Sequence, residues 1–139
     1  MQQRLTLITL GINNLEKMRS FYQNTFGWKP LENSSDQIVF FQLNGILLSL
    51  YGREALAEDA EVSSVGSGFK GFTLAHNLRS EEEVDQLFSE LESKGAKIVK
   101  HPRKVFWGGY SGYIADPEDN LWEIAYNPFM EYDEAGNVV

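Results

Sequence analysis

The chain has no cysteine, so disulfides, thiolate metal sites and a cysteine nucleophile are all excluded. It has only two histidines, which leaves few nitrogen donors for a metal or for proton transfer near neutral pH. Lys and Arg number 12 against 20 Asp and Glu, giving a net charge of -8, so nucleic acid is not an expected partner; phosphate backbones draw on clustered cations. No run approaches the ~20 apolar residues that span a bilayer, and Met1-Gln2-Gln3-Arg4 carries no apolar stretch of a signal peptide. A cytoplasmic protein without a membrane partner is the expectation. What the chain does have is apolar content, 42% hydrophobic with 13% aromatic over 139 residues, which suffices for a packed core.

The pattern of that content repeats. A strand leading into a capped helix that stops at glycine occupies Leu5 to Gly27 and again Gly71 to Gly95, and the two closing glycines lie 68 positions apart, about half the chain. In the first copy Ile8, Leu10 and Ile12 alternate with Leu7, Thr9 and Gly11, and Asn14 then caps a helix with the stripe Leu15, Met18, Phe21, Tyr22 and Phe26. Trp28 to Glu32 and Gln37 to Leu43 read as strands, with a hairpin at Asn44-Gly45 before Ile46 to Tyr51. In the second copy Phe72 to His76 is a strand, Ser80 and Glu83 form a capping box, and Val84, Leu87, Phe88 and Leu91 supply the buried stripe. Strands follow at Lys97 to Lys100, Gly109 to Ala115 and Leu121 to Tyr126, with a loop at His101-Pro102-Arg103. Residues 53–70 read as a linker and 129–139 as a polar tail, leaving modules at about 5–52 and 71–128 of one domain spanning 1–139.

The segments FYQNTFGW, HNLRSEEEVDQLFSELESKGAKI and above all GYSGYIADPEDNLWEIAYNP resemble the vicinal oxygen chelate superfamily, the group of glyoxalases, bleomycin-resistance proteins and ring-cleaving dioxygenases. The resemblance runs from about Leu5 to Pro128. It implies an α+β fold of two tandem βαβββ modules whose mixed sheet curves into a cup, helices outside, with the ligand within. Members often pair, so a homodimer is expected.

In metal-using members of the superfamily each module supplies ligands from its first and last strands. The resemblance places those positions here at Leu7, Ser49, Gly71 and Glu123, of which Glu123 alone is a credible ligand, and a shift of two residues offers only Thr9 or Thr73. A lone carboxylate does not hold a catalytic metal, so no cofactor is expected. His76 falls on the opposite strand face from Thr73 and reads as a packing residue, and His101 reads as a solvated loop residue. Glu123 has two readings of equal weight: a buried base or anchor for a cationic ligand, or a carboxylate satisfied within the fold. In the segment Lys104 to Tyr113, Trp107 and Tyr110 are expected to line a pocket and Phe106 and Tyr113 to fill core; Trp28 and Trp122 are expected to pack beside helices.

The leading expectation is a small-molecule-binding protein with an aromatic cavity lined by Leu7, Thr9, Ser49, Thr73, Trp107, Tyr110 and Glu123, the last also the candidate catalytic residue. A lyase, isomerase or dioxygenase recruiting a divalent metal through unusual ligands is the second, and a non-catalytic interaction module the third.

Overall fold

A computed structural model describes residues 7–61, 63–70 and 72–138. The chain divides into two compact units, Met1–Ser67 and Gly68–Val139.

In the first unit β1 (Leu7–Ile12) runs parallel to β3 (Leu47–Gly52), which pairs antiparallel with β2 (Ile38–Gln42), giving a sheet of order β1-β3-β2. α1 (Leu15–Asn24) begins where the Asn14 side chain accepts the Lys17 N–H at 2.9 Å, an N-cap that satisfies a donor the helix leaves unpaired. It ends just before Gly27, whose φ of +73° lies in the region where a side chain is strained. One face of the sheet packs on α1: Leu10, Ile12, Val39, Phe41, Leu48 and Leu50 are buried against Met18 and Tyr22. The Tyr22 ring is within 5.6 Å, centroid to centroid, of Phe21, Phe26, Trp28 and Phe41, an aromatic layer that anchors the helix. Trp28 packs there, as expected.

Two expectations fail in this unit. Trp28 to Glu32 is not a strand; it keeps a single bridge, Pro30 to Phe41, because proline contributes no N–H to a ladder and Trp28 is drawn into the aromatic layer. The linker at 53–70 contains α2 (Arg53–Asp59), an Ala-, Leu- and Glu-rich turn of good helix formers. α2 lies on the face opposite α1: a methyl group added at Gly11 would meet Leu56 Cδ2 at 3.2 Å and Arg53 Cα at 3.4 Å. The Arg53 guanidinium donates to the Ser64 carbonyl at 2.8 Å and so ties down the segment that follows.

The second unit has β4 (Leu74–Leu78), α3 (Glu81–Ser93), β5 (Lys97–Lys104), β6 (Tyr110–Ala115) and β7 (Leu121–Tyr126), in sheet order β4-β7-β6-β5. β4 is parallel to β7, and the other pairings are antiparallel. Ser80 accepts the Glu83 N–H at 3.2 Å and the Glu83 carboxylate reaches back to the Arg79 N–H at 2.8 Å, a close variant of the capping box. Val84, Phe88 and Leu91 are buried against Ile114, Trp122 and Ile124. Gly95 closes the helix at φ +84°.

Two boundaries move in this unit. β4 starts at Leu74, so Thr73 precedes the strand and is exposed, while Gly71 lies outside the described residues. His101-Pro102-Arg103 is no loop, since β5 continues to Lys104 through register shifts. Gly112 explains the shifts: any Cβ there would meet the Phe88 ring at 2.5 Å, the Lys100 carbonyl at 2.6 Å and the Pro102 nitrogen at 2.8 Å, so only glycine lets the bulged strand approach.

The tail is also ordered. Asp133 accepts from the Asn137 N–H and side-chain amide, both at 2.8 Å, and Tyr132 bridges Val138. The same staple holds the turn before β7, where Asp116 accepts from the Glu118 N–H at 3.0 Å, the Asn120 N–H at 2.9 Å and the Asn120 amide at 2.7 Å. The D-P-x-x-N part of the closing motif is therefore a structural device that aims β7. Each Asp is followed four residues later by Asn, a spacing readable in the sequence as an Asx turn.

Candidate functional site

Cross-strand pairs share a face, so the registers assign the side chains of β4, β6 and β7. Tyr110, Gly112, Ile114, Trp122, Ile124, Tyr126 and His76 are on the α3 side; Ala75, Asn77, Ser111, Tyr113, Ala115, Leu121, Glu123 and Ala125 are on the open side. Trp122 is buried beside the helix, and Leu121, Glu123 and Ala125 alternate with Trp122, Ile124 and Tyr126, the parity read from the sequence.

Two rows cross the open face. Lys100, Tyr113, Glu123 and Ala75 stand side by side on β5, β6, β7 and β4, and next to them stand Arg103, Ser111, Ala125 and Asn77. The floor is small and closed: Ser111 and Ala125 are buried. The Lys100 ammonium sits 5.5 Å from the Tyr113 ring centroid, a cation–π contact. Burial first, then the charge and polar side chain of neighbouring Glu123, raise the Tyr113 phenol above its ordinary range, so Tyr113 keeps its proton at neutral pH.

The remaining candidates are dispersed. Tyr110 is on the helix side, donating to Asp85 at 2.8 Å; that hydrogen bond, ahead of burial and the Asp85 and Glu81 charges, holds its phenol high. It is thus on the opposite face from Glu123, which corrects its placement in a common pocket. Trp107 folds over Gly109, where any side chain would collide with the indole. Phe106, expected in the core, is at the tip of the β5–β6 turn and fully exposed at 102%; the turn bonds of Val105 and Gly108 leave its side chain nothing to pack on. Tyr113 is half-buried on the open face and not part of the helix-side core. His101 lies exposed within β5, and burial lowers the pKa of His76 beside Ile124.

In the first unit Ser49 is fully buried and donates to the Thr9 hydroxyl at 2.8 Å across the β1–β3 pair. Leu7, paired with Leu47, presents only methyl groups. Of the positions the resemblance marks for metal ligands, then, one is hydrocarbon, one is a neutral hydroxyl already bonded, and glycine at 71 has no side-chain donor. Among the described residues no three His, Asp or Glu side chains gather where an ion could be held. This donor set does not fit a divalent metal. The signal that sequence reasoning missed was the basic content of residues 97–104, which place Lys100 and Arg103 on the face of Glu123.

Two sheets, each covered on one face by a helix that follows its first strand, define a duplicated α+β protein. A family model described as Glyoxalase/Bleomycin resistance protein/Dioxygenase superfamily matches residues 4–124, and the chain belongs to that superfamily. A glyoxalase-related enzyme from Fulvimarina pelagi has a crystal structure similar to it at a TM-score of 0.88 and 38% identity, covering 99% of this chain and 98% of that one. The crystal structure of the fosfomycin resistance protein FosX from Listeria monocytogenes is similar at a TM-score of 0.70 and 25% identity, covering 93% and 97%. A metallothiol transferase FosB from Shouchella clausii is 26% identical over 118 residues, 84% of this chain and 75% of the relative. No described helix is long and apolar enough to cross a membrane.

Proposed function

We propose that this chain binds a small organic molecule on the open face of its second sheet, with Glu123 as the polar anchor, and that it does so without the metal-ligand set of its superfamily. One observation carries the reading: Ser49 is buried and bonded to Thr9 while Leu7 stands at the first-strand position, so the donors a metal needs are replaced by satisfied or apolar groups. The accessibility of the face supports it, because Ala75 and Arg103 are exposed and Tyr113 and Glu123 half-buried, within reach of a ligand. Glu123 stands beside Tyr113 on this face and its carboxylate offers lone pairs to a ligand donor.

Native mass spectrometry of freshly purified protein tests this. The expected spectrum contains no stoichiometric divalent ion, and retention of bound organic ligand falls in Glu123→Gln. One divalent ion per chain, lost in Glu123→Gln, overturns the reading. The same spectrum reports subunit number, for which a homodimer is the expected state.

A second reading is metal-dependent group transfer or a glyoxalase-type lyase reaction. It is favoured by the likeness to the metallothiol transferase FosB. The metal measurement separates the two.

A further inference from the structure

β5 is the most basic stretch of an acidic protein. Lys97, Lys100, Arg103 and Lys104 are four of the chain's 12 Lys and Arg, gathered in eight residues with no Asp or Glu among them. Basic side chains on an edge strand commonly serve only to discourage strand pairing with other molecules. Here, however, the four cations fall into two classes. Lys97 is paired with Asp119 at 2.7 Å, and Lys104 stands 3.7 Å from Glu81. Lys100 and Arg103, on the open face beside Tyr113 and Ser111, are in no ion pair among the described residues, whereas Lys97, beside Ala115 on the same face, is held by Asp119. The unpaired cations are the ones that border the candidate site.

Resting on the reading that this face binds a small molecule, the geometry points to a dipolar ligand: an anionic phosphoryl or carboxylate group held by Lys100 and Arg103, and a hydroxyl or ammonium donated to Glu123. The two rows supply both halves. Arg103 presents a planar fork suited to a tetrahedral or planar oxyanion, and Lys100 adds a point charge next to it. Across the sheet, two strands away, Glu123 accepts a donor and repels a second anionic group, which fixes the direction in which the ligand lies. Tyr113 stands between them in the row, its ring under Lys100 and its strand neighbour Glu123 on the other side, so it separates the opposite charges.

Titration with matched probes, followed by backbone amide shifts, tests the class. O-phosphoethanolamine is compared with ethyl phosphate and ethanolamine, and 4-aminobutyrate with butyrate and butylamine. In at least one set the dipolar probe is expected to bind about tenfold more tightly than either half, the size of one charge-assisted hydrogen bond, with shifts centred on Lys100, Ser111, Tyr113 and Glu123; the set that responds identifies the anion as phosphoryl or carboxylate. Lys100→Ala and Arg103→Ala each weaken that probe by about tenfold, whereas Lys97→Ala and Lys104→Ala change it less than twofold. Glu123→Gln erases the preference for the dipolar probe over its anionic half. Equal binding of all probes, no binding of either dipolar probe, or an equal loss in Lys97→Ala and Lys104→Ala overturns the inference, the last because general charge attraction would then suffice. Retained native ligand that survives Lys100→Ala with Arg103→Ala but is lost in Glu123→Gln overturns the anionic class while leaving the binding reading standing. A stoichiometric metal lost in Glu123→Gln overturns the binding reading itself.

Discussion

The two units follow the same local rules and finish with different open faces. Each has a first strand parallel to its last, a helix with a side-chain N-cap, and a glycine in the left-handed region after that helix. Each buries one sheet face under that helix. On the other face the first unit has Leu7, Leu47, Ile38 and Phe40 around a Thr9–Ser49 pair that satisfies itself, with α2 laid over Gly11. The second has Lys100, Tyr113 and Glu123 in a row beside Arg103 and Ser111. Helix-side positions are constrained by packing, which tolerates few changes of volume. Open-side positions do not serve that helix packing, and they are mainly apolar around a self-satisfied hydroxyl pair in one copy and carry charged groups in the other.

The comparison breaks most visibly at the cores. Tyr22→Ala empties the aromatic layer of the first unit and is expected to destabilise by about 3–5 kcal/mol, read from denaturant unfolding. A cost below about 1 kcal/mol would show that the layer does not hold that unit together. Gly112→Ala comes next, at about 1–3 kcal/mol, because the new methyl strikes backbone as well as the Phe88 ring. Gly11→Ala, the counterpart contact in the first unit, meets the flexible end of Leu56 and is expected to stay within about 1 kcal/mol of neutral. Equal costs at the two glycines would erase the distinction between a bulge that needs glycine and a face that merely accommodates it.

Smaller effects sharpen the picture through pH. The Tyr110 and Tyr113 phenols both ionise above the ordinary 10.0, so what they contribute to stability is intact below pH 10.0 and is lost as pH rises through their raised values. Ultraviolet titration is expected to show this alkaline limb, with the Tyr110 share removed in Tyr110→Phe and the Tyr113 share retained. His76 has the opposite sign. Its pKa is depressed by burial, so its contribution is present above 6.5 and is lost as pH falls from there through the lower folded value. Because His76 is on the edge strand β4 and still reaches solvent, the loss is small; urea midpoints measured on either side of pH 6.5 are expected to converge in His76→Gln.

The helices were legible because their cues are local. Asn14, Ser80, Gly27 and Gly95 act on neighbours within one turn, and the stripes through Met18 and Tyr22 and through Val84, Phe88 and Leu91 need only the 3.6-residue period. The failures occurred where a distant contact overrode a local cue. Trp28 left its strand for a ring layer that includes Phe41, β5 ran through Pro102 because Gly112 made room on the neighbouring strand, and Phe106 was exposed because the turn gave it nothing to pack on. At the site, Glu123 was found by alternation along one strand. Lys100 and Arg103 were missed because a bulge shifts parity, and no period within a single strand reports it.

From the sequence alone came the duplicated order of elements, the helix ends, the superfamily and the poverty of metal donors at the expected positions, since each depends on residue type or short spacing. Which charged and aromatic side chains share a face with Glu123 was decided only by tertiary structure. Register between strands sets that grouping, and register is fixed by contacts between residues far apart in the chain, here Gly112 beneath Phe88 and the bulged backbone of β5.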